Sequence, residues 1–258
     1  MDARIARVAV MAAAALISTG ANYRTKNFVV SAPTPQMAEE IGLAAEAYRK
    51  ELAREWLGQE LRPWAKPCPI VAQVGERLGA GGATSFVFDH GEVFGWQMNI
   101  QGTYERILDS VLPHEITHTV FASHFRQPLP RWADEGACTT VEHASERAKQ
   151  HQMLVEFLKT RRGIAFNQMF AMKEYPRDVL PLYSQGYSLA RYLIFQHGRR
   201  EFVAFLEDGL QGENWPQAIS EHYGYRNLGV LQESWLAWVR EGSPTLAAGN
   251  DRLEGGQR

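Results

Sequence analysis

Apolar positions along the chain follow two different periods, and the change from one to the other falls near Gly102. Before it, Phe28-Val29-Val30, Ile70-Val71-Ala72-Gln73-Val74 and Phe86-Val87-Phe88 are short runs of β-branched and aromatic residues bounded by Pro or Gly, which predicts strands. Between the first two, Met37, Ile41, Ala45, Tyr48, Leu52 and Trp56 recur at helical spacing, after Thr34 as N-cap and Pro35 as first helical residue. Asp89-His90-Gly91-Glu92 predicts a hairpin turn into a strand running from Val93 to Ile100. Beyond Gly102 the spacing predicts helices over 103–121, 130–143, 145–160, 180–197, 199–208, 215–223 and 228–241. The last carries Leu228, Leu231, Trp235 and Val239 as its buried stripe. The expected fold class is α+β: an N-terminal β-α-β-β-β unit over 22–102, then a mostly helical part over 103–242. Residues 243–258 are Gly-rich and polar and read as a loose tail.

Composition narrows the function without naming it. The 258 residues are 45% hydrophobic and 22% charged, ordinary for a globular chain, which excludes disordered and collagen-like classes. Lys+Arg at 27 against Asp+Glu at 29 gives a net charge of -2, and no basic block offers a footprint for nucleic acid. Cys68 and Cys138 are too few and too far apart for a Cys-based zinc site, and read as one disulfide or as two buried thiols. At the start, Arg4 and Arg7 precede an apolar run from Val8 to Ile17 and the small residues Ser18 to Ala21. This is the pattern of a secretory signal peptide over 1–21, cut after Ala21, and the run is short for a bilayer span. The expected location is therefore exported, periplasmic or secreted, with an uncleaved N-terminal anchor as the alternative.

His114-Glu115-Ile116-Thr117-His118 carries the candidate chemistry. On a helix, residues four apart project from one face, so both imidazoles can reach one metal ion. Glu115 is placed to take a proton from a water on that ion. Ile107, Leu108, Val111, Leu112, Val120 and Phe121 make this helix mostly apolar, hence central, while Pro113 either starts it or kinks it. A catalytic zinc needs a third protein ligand and an open position. His124 and Glu135 compete for the role. His124 stands where the third histidine of a metzincin-like arrangement would, but that arrangement turns the chain on a glycine where Phe121 stands here, and Phe121 tolerates positive φ poorly. Glu135 lies in Pro130-Arg131-Trp132-Ala133-Asp134-Glu135-Gly136-Ala137, where Pro130 can open a second helix with Glu135 on its inner face. This favours Glu135.

These residues resemble the gluzincin metallopeptidases, particularly the peptidase MA-like group and, more distantly, aminopeptidase N-type enzymes. Those carry His-Glu-x-x-His on one helix and Trp-x-x-Glu-Gly-x-Ala on the next. Here Trp132, Glu135, Gly136 and Ala137 stand in the second pattern. The resemblance implies a zincin-like helical subdomain holding one Zn2+ ion on His114, His118 and Glu135, with Glu115 as general base. It also implies a tyrosine that stabilises the tetrahedral intermediate. Tyr183-Ser184-Gln185-Gly186 looks like the family's Tyr-x-Lys-Gly, which points to Tyr183, with Tyr187 and His222 as weaker substitutes. The family's Gly-x-Met-Glu-Asn segment, whose Glu grips a substrate amino terminus, is matched only by Gly95-Trp96-Gln97-Met98-Asn99. Without that acid, endopeptidase action is favoured over aminopeptidase action. The same strand, Phe94 to Ile100, is either a core strand or one that lines the cleft and pairs with an extended peptide. The expected partner is a peptide or protein substrate, without nucleic acid and without stable membrane insertion after signal cleavage. The competing readings are a catalytically silent, zinc-stabilised binding domain and a zinc hydrolase of a non-peptide amide or ester.

Overall fold

The computed structural model describes residues 21–172 and 174–244. The expected signal segment, apart from Ala21, and the tail after 244 lie outside the described residues. The chain begins with β1 (Ala21–Arg24), β2 (Phe28–Ala32), α1 (Pro35–Leu57), β3 (Cys68–Val74), β4 (Gly81–Asp89) and β5 (Glu92–Gly102). The strands form one sheet in the order β1-β2-β3-β5-β4. β2, β3 and β5 are parallel neighbours, while β1 and β4 run antiparallel at the two margins. Parallel pairing of β2 and β3 requires a crossover, and α1 supplies it. Thr34 caps α1 by accepting from the Met37 amide, Pro35 opens it, and Gly58 ends it in the left-handed region at φ 74°.

One face of the sheet buries Phe28, Val30, Ile70, Ala72, Met98 and Ile100, while Pro69, Val71, Gln73, Gln97 and Asn99 point outward. This period of two is the expected pattern for a sheet covered on one side. Helices supply the cover. After α2 (Tyr104–Arg106) and a π-helical stretch (Ile107–Val111) come α3 (Leu112–Phe125), α4 (Arg131–Thr139), α5 (Ala144–Lys159), α6 (Phe166–Phe170), α7 (Leu180–Leu210), α8 (Trp215–Tyr223) and α9 (Leu228–Arg240). The fold is therefore α+β, strands first and helices after. A single apolar core runs from Phe28 to Val239 through both parts. Trp56 of α1 links them, meeting Phe121 of α3 edge-on at 5.1 Å and Phe202 of α7 at 6.1 Å. No helix among the described residues is long and apolar enough to cross a membrane.

Several expectations need correction. The strand expected over Phe86-Val87-Phe88 starts earlier, at Gly81, because the pairing of Gly81 with Gln101 uses backbone groups that need no side chain. β5 does not present a free edge along the cleft. It lies between β3 and β4, and β4 is the margin. Gln97 accordingly faces the open side of the sheet, exposed, away from the helices. The helices expected over 180–197 and 199–208 are one element, α7, interrupted at Gly198 (φ 84°, ψ 175°). β1 and α6 were not anticipated. Cys68 and Cys138 are both free, buried thiols.

Candidate metal centre

The first motif sits where α3 crosses beneath β4. Pro113 has no N–H for the carbonyl one turn back, and the chain resolves this without a new start: the turn before it widens to π spacing, with the Leu112 amide reaching the Ile107 carbonyl. The helix then continues to Phe125. His114 and His118 project together, their rings 5.0 Å apart. α4 brings the second motif alongside. Its Gly136 lies against α7 so closely that a Cβ there would stand 2.4 Å from the Gly186 carbonyl oxygen, and one on Gly186 would stand 2.6 Å from that of Trp132. The glycines of the two sequence segments thus meet each other where α4 crosses α7. Trp132 anchors the helix, buried against Phe170 at 4.5 Å.

This arrangement turns Glu135 toward the histidines. Its Oε2 is 3.5 Å from Nε2 of His114 and 3.9 Å from Nε2 of His118. Each ring uses its other nitrogen elsewhere: Nδ1 of His114 donates to Glu142 at 2.6 Å and Nδ1 of His118 donates to Asp134 at 2.8 Å. A carboxylate on Nδ1 fixes the tautomer and turns Nε2 inward, as in metal-binding histidines generally. The far oxygen of Glu135 is also held, accepting from the Tyr175 hydroxyl at 2.5 Å.

Charge supports a cation here. Burial alone would push both imidazoles down, yet the carboxylates outweigh it, holding His114 well above its ordinary value and His118 at about 9. Burial alone would likewise raise Glu135, but His114, His118 and Tyr175 hold it at about 2. Glu115, Asp134, Glu135 and Glu142 crowd two imidazoles, and among the described residues no Lys or Arg pairs with any of the four. Protons on the rings stand in for positive charge that a dication would supply. The donor set of two neutral imidazoles and one carboxylate suits Zn2+.

A rival donor exists. His114, His118 and Cys138 each offer one ligand atom within 4.8 Å of the others, although both cysteines were set aside at the level of sequence. The Cys138 sulfur lies 3.3 Å from Nδ1 of His118, the nitrogen that Asp134 already occupies. A sulfur ligand must be a thiolate. Burial first, and then Asp134 and Glu135, push the Cys138 thiol far above its ordinary value. Glu135, facing both Nε2 atoms, fits the role better.

The centre opens into a cleft of about 490 Å³. β4 forms one wall through Gly81 to Phe86 and Phe88. Glu115, 4% exposed, reaches under that wall and accepts a 2.6 Å hydrogen bond from Thr84. Gly82 makes the room, since a Cβ there would stand 2.6 Å from Oε1 of Glu115. Tyr183 lines the opposite wall beside Tyr175, their rings 6.2 Å apart and nearly perpendicular. Burial, then Glu135, raises the Tyr183 phenol well above its ordinary value. The other candidates lie elsewhere. His124 bonds Glu207 at 2.7 Å and does not line the cleft. His222 is held between Glu201 and Asp208. Tyr187 is buried in α7, and Gln185 turns from the cleft to bond the backbone of Ile164. Asp134, Glu142, Thr84, Gly82 and Tyr175 were missed by sequence reasoning. Asp134 alone carried a signal, as the acidic neighbour of Glu135 on the same short amphipathic helix. No protein-family model and no curated protein matches the chain.

Proposed function

We propose that this chain is a zinc-dependent peptidase that cleaves an extended peptide laid along β4. One observation carries the reading: Nε2 of His114 and Nε2 of His118 face one oxygen of Glu135, while each Nδ1 has a carboxylate of its own. Structural pairing of two histidines with acids does not call for both rings to converge on a third carboxylate inside a cleft.

His114, His118 and Glu135 would hold the ion. Zinc so held supplies Lewis-acid polarisation and lowers the pKa of water. Glu115 is the base, with Thr84 on one carboxylate oxygen and the other available to accept the water's proton and pass it to the leaving amine. Tyr183 stays protonated across neutral pH and donates to the oxygen on which charge develops. The outer edge of β4 offers backbone N–H and C=O groups to a peptide backbone. The absence of an acid at Gln97, together with its outward position, favours endopeptidase action.

The test is metal analysis of purified protein joined to a broad peptide-library assay with and without chelator. Glu115→Gln should keep stoichiometric zinc and lose cleavage by on the order of a hundredfold or more. If wild type and Glu115→Gln are indistinguishable against the whole library, a zinc-stabilised binding domain is the better account.

A further inference from the structure

Arg131 is the sole Lys or Arg among the described residues lining the cleft. Helical spacing gives it two natural partners, Asp134 three residues on and Glu135 four residues on. Both are turned away, Asp134 to His118 and Glu135 to His114 and Tyr175. Among the described residues no carboxylate pairs with the Arg131 guanidinium, which lies over the Tyr175 ring at 4.5 Å. That ring is itself fixed, because its hydroxyl is committed to Glu135. Contact with a ring holds the guanidinium in place without using its N–H groups, which stay free for bidentate bonds to a carboxylate. α4 starts at Arg131 without a capping side chain, so its positive end adds potential of the same sign.

We propose that Arg131 is an anion subsite that receives a carboxylate of the substrate. The inference rests on the peptidase reading above. Four residues, about 6 Å along α4 and just over one turn, separate Arg131 from Glu135. An extended peptide advances about 3.3 Å per residue, so the carboxylate belongs one or two residues from the cleaved bond. An acidic side chain or the C-terminal carboxylate of a short peptide supplies the same chemistry.

Binding tests the subsite without turnover. Zinc-loaded Glu115→Gln protein is titrated by fluorescence anisotropy with four labelled peptides, bearing Glu or Gln next to the target bond and ending in a free or an amidated carboxyl group. A charge-assisted pair predicts about ten- to hundredfold tighter binding of carboxylate-bearing peptides. Adding Arg131→Gln should remove that preference while leaving the neutral peptide unchanged. Arg131→Lys should restore part of it, which separates charge recognition from a folding defect. Dependence on the free terminus alone identifies terminal recognition, and dependence on Glu alone identifies an acidic side chain. Equal binding of all four peptides, no binding of any, or a preference that survives Arg131→Gln overturns the proposal. Wild-type protein that binds with this preference yet cleaves nothing retains the subsite and refutes the peptidase reading instead.

Discussion

Glu115 has little freedom, and its surroundings are made of small residues for that reason. Thr84→Val removes the hydroxyl bonded to Glu115 and keeps the shape, so kcat should fall about tenfold or more while zinc content is unchanged. Gly82→Ala should have a similar effect by displacing Glu115, whereas Thr84→Ser should stay near wild type. A Thr84→Val enzyme with normal kcat would show that the bond does not position the base. The ligand set has its own test: Glu135→Ala should abolish tight zinc binding, while His124→Ala and Cys138→Ser keep the metal. Zinc retained by Glu135→Ala and lost by Cys138→Ser would assign the third position to sulfur. Asp134→Asn and Glu142→Gln should each weaken zinc about 10–100-fold by freeing a ring. The histidine pair was legible in sequence because one helix fixes both residues, whereas Glu142 and Tyr175 reach the site through ring orientation and a loop path that spacing does not encode.

Two elements, α4 and α7, cross at Gly136 and Gly186 with backbone against backbone. The sequence showed each glycine as part of a separate segment, and nothing in either segment revealed that the two touch. Helix periods were legible because long apolar stripes constrain them. The extent of β4 was not, because Gly81-Gly82-Ala83 pairs through backbone groups alone. An added methyl at Gly186 must part the helices and swing Glu135 from the histidines. Gly186→Ala should therefore cost about 1–3 kcal/mol of stability in thermal unfolding and also weaken zinc binding. A matched substitution in an exposed turn, Gly212→Ala, meets no neighbour, so zinc affinity should stay normal there despite backbone strain at φ 84°. Equal loss of zinc in both variants would argue against the crossing as the device that aims Glu135.

Across the whole molecule, the candidate metal centre couples stability to pH. In the metal-free fold His118 titrates at about 9 rather than 6.5, so the folded state holds more protons than the unfolded chain between these values. The contribution is complete below about 6.5 and is lost as pH rises through about 9. Zinc needs both Nε2 atoms unprotonated, so its affinity rises over the same interval. The Tm of metal-free protein should fall from pH 6.5 to 9, and the increase in Tm at fixed excess zinc should grow; a shrinking increase would contradict this assignment of charge. The open margin of β4 has a last consequence, one of colloidal behaviour. Its sequence, Gly-Gly-Ala-Thr-Ser-Phe-Val-Phe-Asp, carries no Lys or Pro to repel a second strand, and a single irregularity between Ser85 and Val87 breaks its register. An edge of this kind invites a second copy, and two copies paired along it would each block the other's cleft. Light scattering from concentrated Glu115→Gln protein should drop when a saturating peptide is added, so that a full cleft acts as the molecule's own guard against clumping.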